Sequence, residues 1–376
     1  MSIIIFFVIL LVLVLVHEAG HFFTAKAFKI RVDEFGFGFP PKLWSFKKGE
    51  TEYSINALPF GGFVKIFGED LDEADLIEVG FLDKKETSEK VDVARSLVSK
   101  PKYQQALVMF AGIFANFLLA WLLFSFGFIS GLPTSIGSQP KGYELKDVSL
   151  VVLSVDPKSP AEIAGLKTGD KITALSAFDS ELKQVNPDSL KKFIIEHEGK
   201  DVFIYFNRAG KDDSVVLKPI LNKIEGKPQI GIAMDQIGTL KLPVFRALLE
   251  GMKLDVSVTK ATTSGLYNLI RDSIMGKGSF SSITGPVGMV GVVGDAAKFG
   301  FSYLLSFAAL ISVNLAIINL IPFPALDGGR ILFLLIEKIK GSRINPKVAN
   351  TANMVGFAIL ILLMLIVTYH DIIKLF

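Results

Sequence analysis

The chain has 376 residues, of which 50% are hydrophobic and only 20% charged, and its formal net charge is +3. A soluble domain carries about 25% charge, and nucleic-acid binding calls for a concentrated basic patch, so composition argues against both readings. With no cysteine, disulfides, thiolate chemistry and Cys-type zinc sites are excluded.

The first element is an uncharged run, Ile3 to Val16, whose apolar character resumes after His17, Glu18 and His21 as far as Ala25. About 20 apolar residues cross a hydrocarbon core of about 30 Å, so this run predicts a first membrane span. A cleaved signal peptide would show a basic leading region and a small-residue cleavage site; neither is present. His17-Glu18-Ala19-Gly20-His21 is an H-E-x-x-H pattern. Positions four apart share a helix face. Two imidazoles therefore reach one Zn²⁺, and Glu18 stands ready to take a proton from a metal-activated water. The competing reading, incidental polar residues on a helix, leaves Glu18 as a carboxylate inside the span, at about 2.5–3.5 kcal/mol.

Beyond the span, Tyr53, Ile55, Phe63, Val64, Ile66 and Phe67 read as short strands within Glu52 to Glu69, around a Pro59/Gly61-Gly62 turn. An exposed edge there is suited to pairing with an unwound substrate segment; the bland reading is a small hairpin against lipid headgroups. Residues 69 to 92 carry ten acidic side chains against Lys84, Lys85 and Lys90, the pattern of a solvated loop. Ala106 to Ile129, uncharged over 24 residues, predicts a second span.

Strands are predicted at Ser149 to Val155, from Lys171, at Val202 to Phe206, at Ser214 to Lys218 and at Gln229 to Met234, with a helix near Pro187 to His197. About 90 residues, 145–236, suit one small domain. Gly165 and Gly169 serve turn geometry. Apolar positions from Leu242 to Leu269 recur at helical spacing, which predicts an amphipathic connector within 237–300 at a membrane surface. Uncharged runs of 28 residues, between Lys298 and Asp327, and of 23, between Lys347 and Asp371, predict the third and fourth spans.

Lys26, Lys29 and Arg31 follow span one, Lys100 and Lys102 precede span two, and five Lys or Arg from Arg330 to Lys347 join spans three and four. The positive-inside rule puts all three segments in the cytoplasm, and the N-terminus and residues 131–300 outside.

Catalytic zinc takes three protein ligands and an open position. The remaining histidines, His197 in the external segment and His370 at the outer end of span four, read as ordinary surface or interface residues. A carboxylate is the alternative third ligand, and Asp327 closes the third uncharged run, within Asn319-Leu-Ile-Pro322-Phe-Pro324-Ala-Leu-Asp327-Gly328-Gly329. His17 lies about 21 Å down a helix from Ile3, a depth matching a residue at the inner end of span three. The competing reading of Asp327-Gly328-Gly329 is a helix-terminating turn.

An intramembrane H-E-x-x-H combined with N-x-x-P-x-P-x-L-D-G-G resembles the site-2 protease family of intramembrane zinc metalloproteases, most nearly the bacterial envelope-stress type with an external PDZ domain. Gly112 to Asn116 matches its G-x-x-x-N element, and Leu58 to Lys65 its P-x-G-G-Y-V-K, with Phe63 for Tyr. Phe35 to Pro40 resembles G-F-G-P with Phe39 inserted, and Thr284 to Gly288 resembles S-G-P-I-G. Ser159 to Asp170, ending in A-G-L-x-x-G-D, resembles the PDZ fold.

The resemblance implies Zn²⁺ on His17, His21 and Asp327, Glu18 as the catalytic base, and a membrane-associated hairpin. It implies substrate-side roles for Asn319, Asn116, Gly112, Pro322, Gly61, Gly62 and Phe63. For the two asparagines the competing role is interhelical hydrogen bonding.

The fold expected is a multi-pass α-helical membrane protein with about four transmembrane helices, a membrane-associated β-hairpin and one inserted PDZ-like α+β domain. Its parts are 1–130 (spans one and two), 145–236 (PDZ-like), 237–300 (connector) and 301–376 (spans three and four). The function expected is intramembrane cleavage, in the bacterial cytoplasmic membrane, of single-span proteins such as anti-sigma factors or signal-peptide remnants. The lipid bilayer is a partner, nucleic acid is not, and the active site lies near the cytoplasmic side. One alternative is a membrane-anchored protease of soluble cytoplasmic proteins, which predicts a motif outside the span. Another is a zinc transporter or PDZ scaffold; a transporter predicts ionisable groups along several spans.

Overall fold

The computed structural model describes residues 2–69, 93–178, 180–208, 210–221, 226–276 and 285–373. The acidic stretch 70–92 and Thr284 lie outside the described residues. In chain order the first elements are α1 (Ser2–Ala27), β1 (Val32–Lys48), β2 (Thr51–Ile66) and α2 (Lys102–Ser130). Next come β3 (Leu132–Ser135), β4 (Lys146–Val155), α3 (Pro160–Ala164), β5 (Lys171–Ala177), β6 (Ser180–Leu182) and α4 (Pro187–Glu196). Strands β7 (Val202–Arg208), β8 (Lys211–Leu217), β9 (Ile220–Leu221), β10 (Pro228–Gln229) and β11 (Ile232–Leu240) follow. The chain closes with helices α5 (Val244–Ile274), α6 (Pro286–Phe299), α7 (Phe301–Leu320), α8 (Asp327–Lys340) and α9 (Pro346–Ile373).

Two compact units emerge. One comprises Met1–Leu123, Gly251–Val293 and Phe307–Phe376; the other comprises Phe124–Glu250 and Gly294–Ser306. Among the described residues, α1, α2, α7 and α9 are the helices long and apolar enough to cross a membrane.

In the first unit, Leu13, His17, His21 and Ala25 are buried at intervals of four along α1, so the polar motif lies on the packing stripe. Glycines let α1 and α2 approach: a Cβ at Gly20 would stand 2.3 Å from the carbonyl oxygen of Ala111. Near the C-terminal end of α9, Asp371 accepts from the backbone N–H groups of Gly285 (3.0 Å) and Gly288 (2.8 Å), capping the start of α6.

The hairpin departs from expectation. The chain turns at Gly49-Glu50, and the predicted turn residues, Pro59 to Gly62, lie within β2. The strands are long and curled. Residues Glu34 to Phe37 pair on one side with Gly62 to Lys65 and on the other with Glu52 to Ile55. Residues 51–56 in turn pair with 42–48. The lateral order is therefore 62–66, 32–37, 51–56, 42–48, which leaves 62–66 as an edge with no further strand among the described residues. Phe22 of α1 meets Phe35 and Tyr53 edge-on, fixing the hairpin to the helix. Lys26 and Arg95 both pair with Glu50 (2.5 and 2.6 Å), and Lys26 first, then Arg95, holds that carboxyl below its ordinary range.

The second unit holds an antiparallel sheet in the order β3-β11-β4-β5-β7-β8, with β6 beside β5. Strand alternation is visible in β7, where Val202, Ile204 and Phe206 are buried while Phe203 and Tyr205 are exposed. These join Leu150, Val152, Leu175, Leu190 and Phe193 in one core. Helix α3 starts at Ser159, whose hydroxyl accepts from Glu162 N–H, and ends at Gly165 with φ +91°. A capping box of Asn186 and Ser189 starts α4. His197, expected as a surface or interface residue, is buried at the end of α4, bonded to the Phe193 carbonyl (2.8 Å) and Ser180 Oγ (2.9 Å). Its apolar neighbours and local hydrogen bonds draw it inward. Helix α5 runs on past the expected Leu269 to Ile274.

Candidate active site

The chain turn that delivers Asp327 is built from its unusual residues. Helix α7 ends at Leu320, Pro322 sits exposed in the turn, and Ala325 adopts φ +74° before α8 begins at Asp327. The turn then folds back onto the first residues of α8. A Cβ on Gly328 would stand 2.3 Å from the Ile321 oxygen, and one on Gly329 2.1 Å from the Phe323 oxygen. Asn353 of α9 accepts from the Ala325 N–H (3.1 Å). The two glycines thus set where the carboxylate points.

His17, His21 and Asp327, from α1 and α8, converge. Asp327 Oδ2 lies 3.1 Å from His17 Nε2 and 3.3 Å from His21 Nε2, and the two Nε2 atoms are 3.2 Å apart. Ligands held at about 2.0–2.1 Å by a tetrahedral zinc ion stand about 3.3–3.4 Å from one another, so this triangle has the right size. Chemistry agrees. His21 Nδ1 lies 2.8 Å from the Val108 carbonyl oxygen, which can only accept, so Nδ1 carries a proton, and with the ring in its neutral form the Nε2 lone pair faces Asp327. Asp327 Oδ2 is itself buried and accepts no hydrogen bond among the described residues. Lone pairs facing one another at contact distance are what a cation reconciles. The residues present fit a zinc ion.

Gly112 of α2 lies directly under the imidazoles: a Cβ there would stand 2.2 Å from His21 Nε2 and 2.9 Å from His17 Cε1. Its position gives clearance for the rings. The Asn116 amide, a turn further along α2, lies 3.2 Å from His17 Nδ1 and is fully buried.

A cavity of about 830 Å³ opens on the cluster, lined by His17, Glu18, His21 and Asp327 together with Arg31, Asp33, Met109, Ala325, Arg330 and the unbroken run Gly62 to Glu69. Gly62 presses close: a Cβ would meet Glu18 Cγ at 3.1 Å and Val14 Cγ1 at 3.0 Å. Of the remaining expected residues, Phe63 lines the cavity, while Gly61, Asn319 and Pro322 are not among its lining. Asn319 is half-buried in the last turn of α7.

Sequence reasoning passed over Arg330, which lines the cavity and is ion-paired with Glu69. A signal was available, since a residue three beyond Asp327 shares its helix face.

The sequence profile of peptidase family M50 matches residues 5–363. A relative from Clostridium perfringens is 36% identical, over 96% of this chain and 95% of its own length. The zinc metalloprotease RasP of Geobacillus kaustophilus is 31% identical over 100% of this chain and 98% of that protein. The regulator of sigma-W protease RasP of Bacillus subtilis is 32% identical over 100% and 99%. Among solved structures, the PDZ domain of an SdrC-like protein from Listeria monocytogenes matches 24% of this chain and 92% of its own, at 25% identity and a TM-score of 0.21. A profile that runs from the first span into the fourth, with full-length relatives above 30% identity, fixes the identity: the chain belongs to peptidase family M50, the site-2 protease family, and is a membrane zinc metalloprotease.

Proposed function

We propose that the chain cuts membrane-spanning segments of single-span proteins, using His17, His21 and Asp327 as zinc ligands and Glu18 as general base. Zinc, when bound, supplies a Lewis acid for the scissile carbonyl and acidifies the attacking water. Glu18 takes the proton of that water and hands it to the leaving amine. The ligand atoms' spacing and the unsatisfied Asp327 Oδ2 support the ligand roles.

The observation that carries the substrate class is the run Gly62 to Phe67. All six consecutive residues line the catalytic cavity. A strand facing a cavity with its side chains presents alternate residues; one presenting every residue offers its backbone edge. A helix hides each scissile carbonyl in its own hydrogen bonds, so a membrane segment must unwind to be cut. The free edge at 62–66 gives the unwound segment a ladder of donors and acceptors beside Glu18. Gly61, Gly62 and Phe63 are the substrate-side residues in this reading. Pro322 lies in the turn before Asp327.

The charge distribution supports a cytoplasmic position for the hairpin and for the α8 end of the site, with the inserted PDZ-like unit outside, in a bacterial cytoplasmic membrane. Since one full-length relative is named a regulator of sigma-W protease, membrane-bound anti-sigma factors are the first substrates to try, followed by signal-peptide remnants.

The test is cleavage of a single-span reporter, trimmed on its outer side, by the chain reconstituted in liposomes, with products mapped by mass spectrometry. A cut within or beside the span, abolished by Glu18→Gln, is expected. Cleavage confined to soluble proteins, or unchanged with Glu18→Gln, would contradict the proposal.

A further inference from the structure

We infer that Asn116 is a positioning residue for the metal centre, its side-chain oxygen accepting the Nδ1–H of His17. The inference rests on His17 being a zinc ligand and adds a role for a residue on a different helix. His17 Nε2 is the nitrogen that faces Asp327 and His21. A neutral imidazole that gives Nε2 to a metal carries its proton on Nδ1, and that proton needs an acceptor. Among the described residues, the side chain bonded at His17 Nδ1 is the Asn116 amide, at 3.2 Å.

The amide's orientation settles whether it can serve. With its nitrogen turned to His17, as its atoms are assigned, Asn116 would donate to Nδ1, push the ring proton onto Nε2 and spoil the ligand. In that orientation Oδ1 is also left buried with no hydrogen-bond partner among the described residues. The two ends of a carboxamide exchange by a half-turn and are assigned from their surroundings. The half-turn puts Oδ1 at Nδ1, making Asn116 the counterpart of the Val108 carbonyl, which holds the Nδ1–H of His21 at 2.8 Å.

Asn116 is also pinned where such a role needs it to be. It is 0% exposed, and its backbone carbonyl accepts from Ser312 Oγ of α7 at 2.8 Å. One residue thus links the helix bearing the histidines to the helix leading to Asp327. A fully buried amide bonded to His17, on a residue whose backbone is tied to α7, has little freedom to reach a substrate, so this role replaces the substrate contact expected from sequence.

The experiment measures zinc affinity of the purified full chain in detergent by chelator competition, for the unmodified protein, Asn116→Leu and Asn116→Asp. Loss of the partner of a metal-bound histidine weakens metal binding about 10–100-fold, and that loss is expected for Asn116→Leu. Asn116→Asp keeps an acceptor and loses the donor, so it is expected to recover most of the affinity. Unchanged affinity in Asn116→Leu, or Asn116→Asp as weak as Asn116→Leu, overturns the inference.

A second measurement avoids substitution altogether. Nitrogen-15 resonances of the zinc-loaded, unmodified chain are expected to show His17 protonated at Nδ1; a bare Nδ1 overturns the inference. If the unmodified chain holds no stoichiometric zinc, the ligand assignment fails first, which is distinct from zinc held normally by Asn116→Leu.

Discussion

Each unit of the chain buries a carboxylate, and the two solve the problem in opposite ways. In the inserted unit, Asp170 accepts from Arg208 Nε and Nη2, both at 2.7 Å, and from the Lys167 N–H at 2.8 Å. The protein satisfies this acid completely. In the membrane unit, Asp327 Oδ2 faces two imidazole nitrogens and accepts no hydrogen bond among the described residues. A third acid, Asp255 of α5, is 5% exposed with Oδ1 lacking a partner, and burial pushes its pKa up to about 6. An arginine, a cation and a proton are the three remedies for a buried acid. Burial of charge therefore does not mark a functional site; convergence of unsatisfied lone pairs does.

The sharpest way to break the contrast is at Glu18, the general base of the proposed function. Glu18→Gln is expected to lower cleavage about 10²–10⁴-fold, the range for loss of a general base, with one zinc per chain retained by elemental analysis. Zinc loss in that variant would make Glu18 a ligand rather than a base. Next, Gly112→Ala sets a methyl group 2.2 Å from His21 Nε2. A displacement near 1 Å costs on the order of 10²-fold in rate, and metal content should fall with it. Unchanged zinc and activity would mean the rings are not where they are described.

The contrast sharpens on the inserted unit. Asp170→Ala leaves the Arg208 guanidinium without its carboxylate; because that side chain is 35% exposed, the expected loss is about 3 kcal/mol, the low end for a broken buried pair. Hydrogen exchange of β5 and β7 amides measures it, and zinc stoichiometry should not move.

The smallest effect concerns Asp255. Its folded pKa is raised above the ordinary 3.8, so the folded state disfavours its charge. The sign follows: no penalty below about pH 4, a growing loss of α5 stability as pH rises toward about 6, and no further change above. Exchange protection of α5 followed across this window tests it, and Asp255→Asn should flatten the profile.

Much of this was legible in the sequence, for identifiable reasons. The spans announce themselves because uncharged runs of more than 20 residues have few other uses. His17 and His21 are four apart on one helix, so their meeting is a local fact. Asp327 was reachable through a depth argument, since α1 and α7 are both expected to run inward.

The hairpin was misread because β2 carries Pro59, Gly61 and Gly62 and β1 carries Gly36, Gly38, Pro40 and Pro41, residues that locally favour a turn. Only its pairing with both halves of β2 makes it a strand. Gly112 and Asn116 owe their roles to neighbours far along the chain, such as His17 and Asn116, which are 99 positions apart. No spacing rule encodes such contacts.

Zinc-edge X-ray absorption on the purified full chain tests the central claim most directly. The account predicts one zinc per chain with two imidazole nitrogens and carboxylate oxygen in its inner shell, at about 2.0–2.2 Å, and loss of that signature in Asp327→Ala. A shell without two imidazoles, or an Asp327→Ala variant that keeps one full equivalent of zinc in the same environment, would contradict it.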